Sequence, residues 1–374
     1  MAGIYFHIPF CKTRCVYCDF FSSATKGAEN DQIEAYVEAI CRELCERKDY
    51  LNGRPVETIY FGGGTPSLLS AGNFEKIFQT LAEIKVDYTS LQEITLEANP
   101  DDITPEYLDS LKNLPFNRIS LGIQSLNEEE LRFLKRRHNA RSAVRAVDLC
   151  QKQGFKNISI DLMYGLPNQT MQTWKSTIQQ AIALNVQHIS AYHLIYEENT
   201  PLFDLLQQGS IQAMDEELSL ALFETLIDQL TDAGFEQYEI SNFAQSGYQS
   251  RHNSAYWNST PYLGIGASAH SYNGESRQWN KRLSGAGYRA QGVEIEILDE
   301  KAVFNDFIIT RLRTLKGMDL NEVQHLFGVE KKDYCLQQAK KFLSHQSLEL
   351  ENNHLRLTRK GIFISDGIMV ELLV

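Results

Sequence analysis

Six short apolar runs, each followed by a longer amphipathic one, constrain this 374-residue chain more than any other feature. GIYFHI (3–8), ETIYF (57–61), EITLEAN (93–99), RISLGIQ (118–124), NISIDLM (157–163) and HISAYHL (188–194) read as strands. Between them, apolar residues at three and four spacing predict helices at about 31–50, 71–84, 104–113, 127–152 (broken near His138-Asn139) and 170–184. A strand followed each time by a helix requires a parallel sheet, because every crossover carries the helix back over one face. The predicted fold class is therefore α/β, a partial (β/α)6 barrel of the TIM type. In such folds reactive groups gather at the C-terminal ends of the strands. The polar and glycine-rich words fall there: a cysteine loop after the first strand, GGGTP after the second, Glu97 in the third, Gln124 ending the fourth and Asp161 in the fifth.

After a predicted helix at about 215–233 the pattern changes. Residues 236–282 read as loop-like and aromatic, with the words RHNSAYWN and GIGASAHSYN. From about 283 a smaller unit is predicted, with helices at 302–315, in DLNEVQHLF and near 331–345. It closes with LELENNHLRLT as a hairpin turning at Asn352-Asn353, since asparagine tolerates the left-handed backbone of tight turns. The expected organisation is a barrel core with its extension over 1–282 and a mostly helical, winged-helix-like domain over 283–374.

A formal net charge of −12 disfavours nucleic acid and anionic lipid as partners. No apolar run approaches the ~20 residues of a membrane-spanning helix, and no leader precedes the first strand, so a soluble, cytoplasmic protein is expected. Seven cysteines, an odd number, favour metal or redox chemistry over a disulfide framework. Cys41, Cys45, Cys150 and Cys335 read as buried small hydrophobes.

Cys11, Cys15 and Cys18 do not. They lie in HIPFCKTRCVYCDF, directly after a strand and among Lys12 and Arg14. Three thiolates brought together need a metal to offset their repulsion. Zinc would want a fourth ligand, with His7 the nearby candidate. An iron–sulfur cluster normally takes four cysteines; with three, a [4Fe–4S] cluster keeps one iron open for a substrate or cofactor.

CxxxCxxC after the first strand with GGGTP after the second resembles the radical S-adenosylmethionine (SAM) enzymes. That resemblance implies a [4Fe–4S] cluster on Cys11, Cys15 and Cys18, whose open iron chelates SAM and whose electron cleaves it to a deoxyadenosyl radical. The words YFHIPFCKTRCVYC, FGGGTPSLL, TLEANPDD, RISLGIQSLN, IDLMYGLPNQT and GIGASAHSY together resemble the oxygen-independent coproporphyrinogen III oxidase family, over essentially the whole chain. This likeness implies that Tyr5, Tyr17, Gly63, Gly64, Thr65, Glu97, Gln124, Arg136 and Asp161 border SAM. Taken alone, the same residues read as a tight turn (GGGTP), a solvated helix charge (Arg136) and a strand-end cap (Asp161).

Two departures separate this chain from the oxidase pattern. Phe20 stands where the oxidase carries an additional cysteine, and only four residues precede Tyr5, where the oxidase has an N-terminal extension. In their place, RHNSAYWN resembles a word of heme-binding relatives proposed to deliver heme. It makes His252, Tyr256 and Trp257 candidate heme residues, an imidazole for iron and two rings for the porphyrin face. The expected activity is heme handling without coproporphyrinogen oxidation. The partners expected are heme, heme-receiving apoproteins of the respiratory or cytochrome kind, and a second copy of the chain. The alternatives are the oxidase or another porphyrin-modifying radical SAM enzyme, and a zinc-stabilised adaptor working through its winged-helix-like tail.

Overall fold

The structure, a computed structural model, describes residues 1–24, 30–282, 288 and 293–374. All six predicted strands form: Ala2–Ile8, Val56–Gly63, Glu93–Ala98, Arg118–Gln124, Ile158–Tyr164 and His188–His193. They pair in that order and all in parallel. Their burial follows from this arrangement: Ile4, Phe6, Ile8, Ile59, Phe61, Leu96, Ile119, Leu121, Ile160 and Leu162 are all buried, as expected of strands covered by crossover helices.

The helices start where the sequence offers caps. Ser70, Asn139 and Thr170 each accept from the backbone three residues on, and each is answered by that residue's side chain, so two unpaired N–H groups are satisfied at once. Thr104-Pro105 and Thr200-Pro201 pair a capping hydroxyl with proline in the first turn. At its other end the helix Ala140–Gln153 stops at Gly154, whose φ of 100° ends the helical run.

Residues 236–282 differ from expectation. They carry a helix, Arg251–Trp257, and strands that join the main sheet. Tyr262–Ile265 pairs in parallel with Ala2–Ile8 on the edge opposite Val56–Gly63. His270–Tyr272 and Ser276–Asn280 continue the sheet antiparallel, and Asn242–Ala244 extends its other end beside His188–His193. The sheet also runs past residue 282, since Val293–Ile297 pairs with Ser276–Asn280; residue 283 itself lies outside the described residues.

The C-terminal helices Glu300–Leu312, Leu320–Phe327 and Val329–Ser344 precede a hairpin, Leu348–Glu351 with His354–Leu357. Asn352 and Asn353 make its turn at φ 51° and 63°. Phe304, Phe307, Ile308, Leu320 and Met369 pack into the same apolar cluster as Ile160, Trp174, Ile189 and Phe223, so this unit is built onto the barrel's flank. Cys41, Cys150 and Cys335 are buried, but Cys45 is exposed, one turn beyond Cys41 and off the buried face. Among the described residues no helix is long and apolar enough to cross a membrane.

Candidate functional site

A cavity of about 1060 Å³ opens at the C-terminal ends of the strands. Cys11, Cys15 and Cys18 line it with Tyr5, Tyr17, Gly63, Gly64, Thr65, Glu97, Gln124, Arg136 and Asp161. The structure thus brings together all the residues that the sequence assigns to cluster and SAM.

The cysteine loop is pinned from several sides. His7 Nε2 donates to the Phe21 carbonyl at 2.8 Å, and His7 Nδ1 lies 3.1 Å from the Tyr5 hydroxyl, which donates to it. Lys12 Nζ donates to Asp102 at 2.6 Å, and Asp102 also accepts from Ser67 and Arg137. Thr65 Oγ1 donates to Cys11 Sγ at 3.5 Å, and Arg136 to Cys15 Sγ at 3.1 Å. The other end of the Arg136 guanidinium is held by Asn99 and the Gly122 carbonyl.

GGGTP contributes in a way the sequence does not reveal. A Cβ on Gly63, whose φ is 109°, would meet the His7 ring at 2.6 Å, and one on Gly64 would meet the Ile8 and Phe10 carbonyls at 2.9 and 2.8 Å. These glycines are required for the cysteine loop to seat against the second strand.

The donor set discriminates between metals. Burial, then the neighbouring thiols, pushes the Cys18 thiol up to about 11, and burial also raises Cys11. A cation bound among them would reverse this by favouring thiolate. Both nitrogens of His7 are engaged, so it offers zinc no lone pair. A [4Fe–4S] cluster instead takes one thiolate per iron, and all three thiols line the cavity. Gln124 Oε1 and Arg136 Nε are buried without partners among the described residues, and Gln124 sits at a bulge with φ 65°. Such orphaned polar atoms fit a site that a polar ligand completes.

Two half-buried carboxyls face the same space. Burial lifts Glu97 to about 7, with Asp161 adding to the rise, although Tyr60 donates to it at 2.6 Å and Gly63 N at 3.3 Å. Burial lifts Asp161 to about 6 against hydrogen bonds from Ser190 and Ser120. Both remain poised to ionise when a cationic ligand arrives.

The RHNSAYWN word forms a helix whose first turn rests on Glu93. That carboxylate accepts from Ser250 Oγ (3.3 Å), Arg251 N (2.8 Å) and His252 N (3.0 Å). Tyr256 and Trp257 reach the cavity, but the structure does not bring His252 there. His252 is 1% exposed, with Nδ1 2.8 Å from Thr58 Oγ1 and Nε2 2.8 Å from the Tyr256 hydroxyl, and its ring stacks on Tyr60. Burial, with Arg118 nearby, lowers its pKa to about 3. Trp257 has Arg313 over its ring at 4.7 Å. Phe20, 69% exposed, lies at the cavity wall. Sequence reasoning did not single out Asn99, Glu93, Thr58 or Asp102, although Asn99 and Asp102 stand in the word TLEANPDD.

The radical SAM superfamily model matches residues 5–181, and the HemN C-terminal domain model matches 298–364. A protein named heme chaperone HemW from Lactococcus lactis is 32% identical over 99% of this chain and 97% of its own length. The chain belongs to the HemW family of radical SAM proteins. The Bacillus subtilis HemW is 35% identical over 75% of this chain and 73% of its own. A bovine relative, radical S-adenosyl methionine domain-containing protein 1, mitochondrial, is 32% identical over 100% of this chain and 87% of its own. Among solved structures, the Escherichia coli coproporphyrinogen III oxidase HemN superposes with a TM-score of 0.83 at 22% identity, covering 100% of this chain and 90% of that one. This chain and HemN thus share a fold, and at that identity the likeness extends no further.

Proposed function

We propose that this protein is a cytoplasmic heme chaperone. It holds a [4Fe–4S] cluster on Cys11, Cys15 and Cys18, binds SAM beside it, carries heme in the region of Tyr256 and Trp257, and passes it to respiratory or cytochrome apoproteins without oxidising coproporphyrinogen. The observation that carries this reading is the shared cavity. At about 1060 Å³ it reaches the top of the ~300–1,000 Å³ usual for small-molecule sites, and it joins the thiol wall to the aromatic helix end.

When bound, the cluster supplies an open iron for SAM and an electron for it. The chain's own residues do the rest. Arg136, fixed by Cys15, Asn99 and the Gly122 carbonyl, keeps an unpartnered Nε–H to donate to the SAM carboxylate. Asp161 accepts from the ribose hydroxyls, as acidic residues do in dinucleotide sites. Glu97 balances the cofactor's positive charge once ionised, and Gln124 Oε1 accepts a donor it lacks in the protein alone. Tyr256 and Trp257 offer apolar surface to a porphyrin face. His252 supports them from beneath.

Incubating the reduced, cluster-loaded protein with SAM and coproporphyrinogen III separates chaperone from oxidase. The chaperone leaves the porphyrinogen intact; two decarboxylations to protoporphyrinogen IX would establish the oxidase instead.

A further inference from the structure

If heme is carried in this cavity, as proposed above, its iron needs a ligand, and the histidines around the cavity differ in what they can offer. His7 has both ring nitrogens engaged. His193 Nε2 is paired with Ser219 Oγ at 2.6 Å. His252 lies beneath the surface with both nitrogens bound. His270 lines the cavity, is exposed, and its ring makes no hydrogen bond among the described residues.

The surroundings of His270 suit a porphyrin. In a strand, residues two apart share a face, and both His270 and Tyr272 line the cavity. Tyr272 pairs across the sheet with Tyr262, and the Tyr256 ring meets Tyr262 edge-on at 4.7 Å, so aromatic surface runs from the RHNSAYWN helix to the His270 strand. On the other side His270 pairs with Trp279, whose ring stacks on the imidazole. Two guanidinium groups line the same space. Arg277 is neutralised by Glu296 and Asp306, whereas Arg282 has no ion pair among the described residues.

The strand is also held rigidly from behind. Buried Glu43 accepts from Gly266 N at 2.9 Å and from Asn280 at 2.6 Å. The Tyr36 hydroxyl donates to the His7 carbonyl at 2.7 Å and accepts from Ala267 N at 2.9 Å. Arg47 donates to the Gly264 carbonyl and to Ser271 Oγ. A ligand on such a backbone is set in place before heme arrives.

We propose that His270, rather than His252, ligates the heme iron, and that Arg282 pairs with a heme propionate. The bond is a dative one from a neutral imidazole nitrogen, with no change of oxidation state.

The test is a hemin titration of the full cluster-loaded chain and of H270A, H252A and R282Q, followed by difference absorbance in the Soret region. H270A should bind at least about ten-fold more weakly, equivalent to about 1.4 kcal/mol, and lose the imidazole-ligated spectrum, which added free imidazole restores. R282Q should weaken binding with the spectrum unchanged, and H252A, which loses the support of Tyr256, should bind more weakly while retaining the imidazole-ligated band. H270A with wild-type affinity and spectrum overturns the assignment, as does loss of the imidazole-ligated band in H252A alone. Should H270A also lose SAM binding, H270M replaces it as the deciding variant: a thioether-type spectrum supports His270 and a wild-type spectrum overturns it. If the wild-type chain itself shows no saturable hemin binding, the heme reading fails first, and this assignment with it.

Discussion

The His252 Nε2 and Tyr256 hydroxyl lie 2.8 Å apart across one helical turn, so the imidazole that the sequence offers to iron is spent on positioning the tyrosine that reaches the cavity. Thr58 holds the opposite nitrogen, and Gly3 makes room for the ring, since a Cβ there would meet His252 Cε1 at 3.1 Å. His252→Ala removes two buried hydrogen bonds and leaves a void. Unfolding should become easier by about 2–4 kcal/mol, measured by denaturant titration; a change below about 0.5 kcal/mol would show that the ring is not structural.

Glu97 couples stability to ligand binding. Because burial raises its folded pKa from 4.5 to about 7, its contribution to stability is full below pH 4.5 and is lost as pH rises through about 7. That loss is about 3 kcal/mol when the carboxyl is fully ionised. Glu97→Gln should therefore stabilise the ligand-free protein at pH 8 by about 1–3 kcal/mol while weakening SAM binding. Thermal melts at pH 5 and pH 8 check the first half, and equilibrium dialysis with SAM the second. A variant that is no more stable at pH 8, or that binds SAM normally, contradicts this role.

The histidines predict the opposite pH response. Burial lowers His252 to about 3 and His138 to about 4, and takes His188 well below its ordinary value. Each is neutral when folded but binds a proton near pH 6.5 when unfolded, so its stabilisation is complete above 6.5 and lost as pH falls toward 4. This loss opposes the gain from Glu97 over the same range, so the drop due to His252 is read as the difference in denaturation midpoint between wild type and His252→Gln from pH 7 to pH 4. His252→Gln should flatten that drop, and an unchanged slope would show that His252 does not contribute to it.

The three thiols make a prediction that composition alone could not. Replacing any one of Cys11, Cys15 or Cys18 with alanine should reduce anaerobically reconstituted iron from about four per chain to a substoichiometric level, with sulfide falling in parallel. Replacing exposed Cys45 should leave both unchanged. Stoichiometric zinc without sulfide in the unsubstituted protein would return the site to the zinc reading.

The barrel was legible in the sequence because each strand is a mostly buried apolar run and several helices carry their own caps, as at Ser70, Asn139 and Thr170. The hairpin turn was legible for a similar local reason, asparagine's tolerance of positive φ at 352 and 353. What escaped depends on distant partners. The Arg251–Trp257 helix spans seven residues, too few for a clear period, and its first turn is completed by Glu93, more than 150 residues away. Tyr262–Ile265 is a four-residue strand that reads as loop until it meets Ala2–Ile8. The burial of His252 was hidden because it is created by Gly3, Thr58 and Tyr60 from the opposite end of the chain. GGGTP was recognised as a word, but its glycines serve His7 and the cysteine loop, a relation between two strands that neither motif displays alone.

Heme handling by the cavity is the central claim, and an equilibrium hemin titration of the full, cluster-loaded chain addresses it most directly. The prediction is a saturable Soret change at about one hemin per chain, with a dissociation constant in the micromolar range or tighter, about −8 kcal/mol. A linear, unsaturable response indistinguishable from hemin adsorbing to an unrelated protein would contradict it.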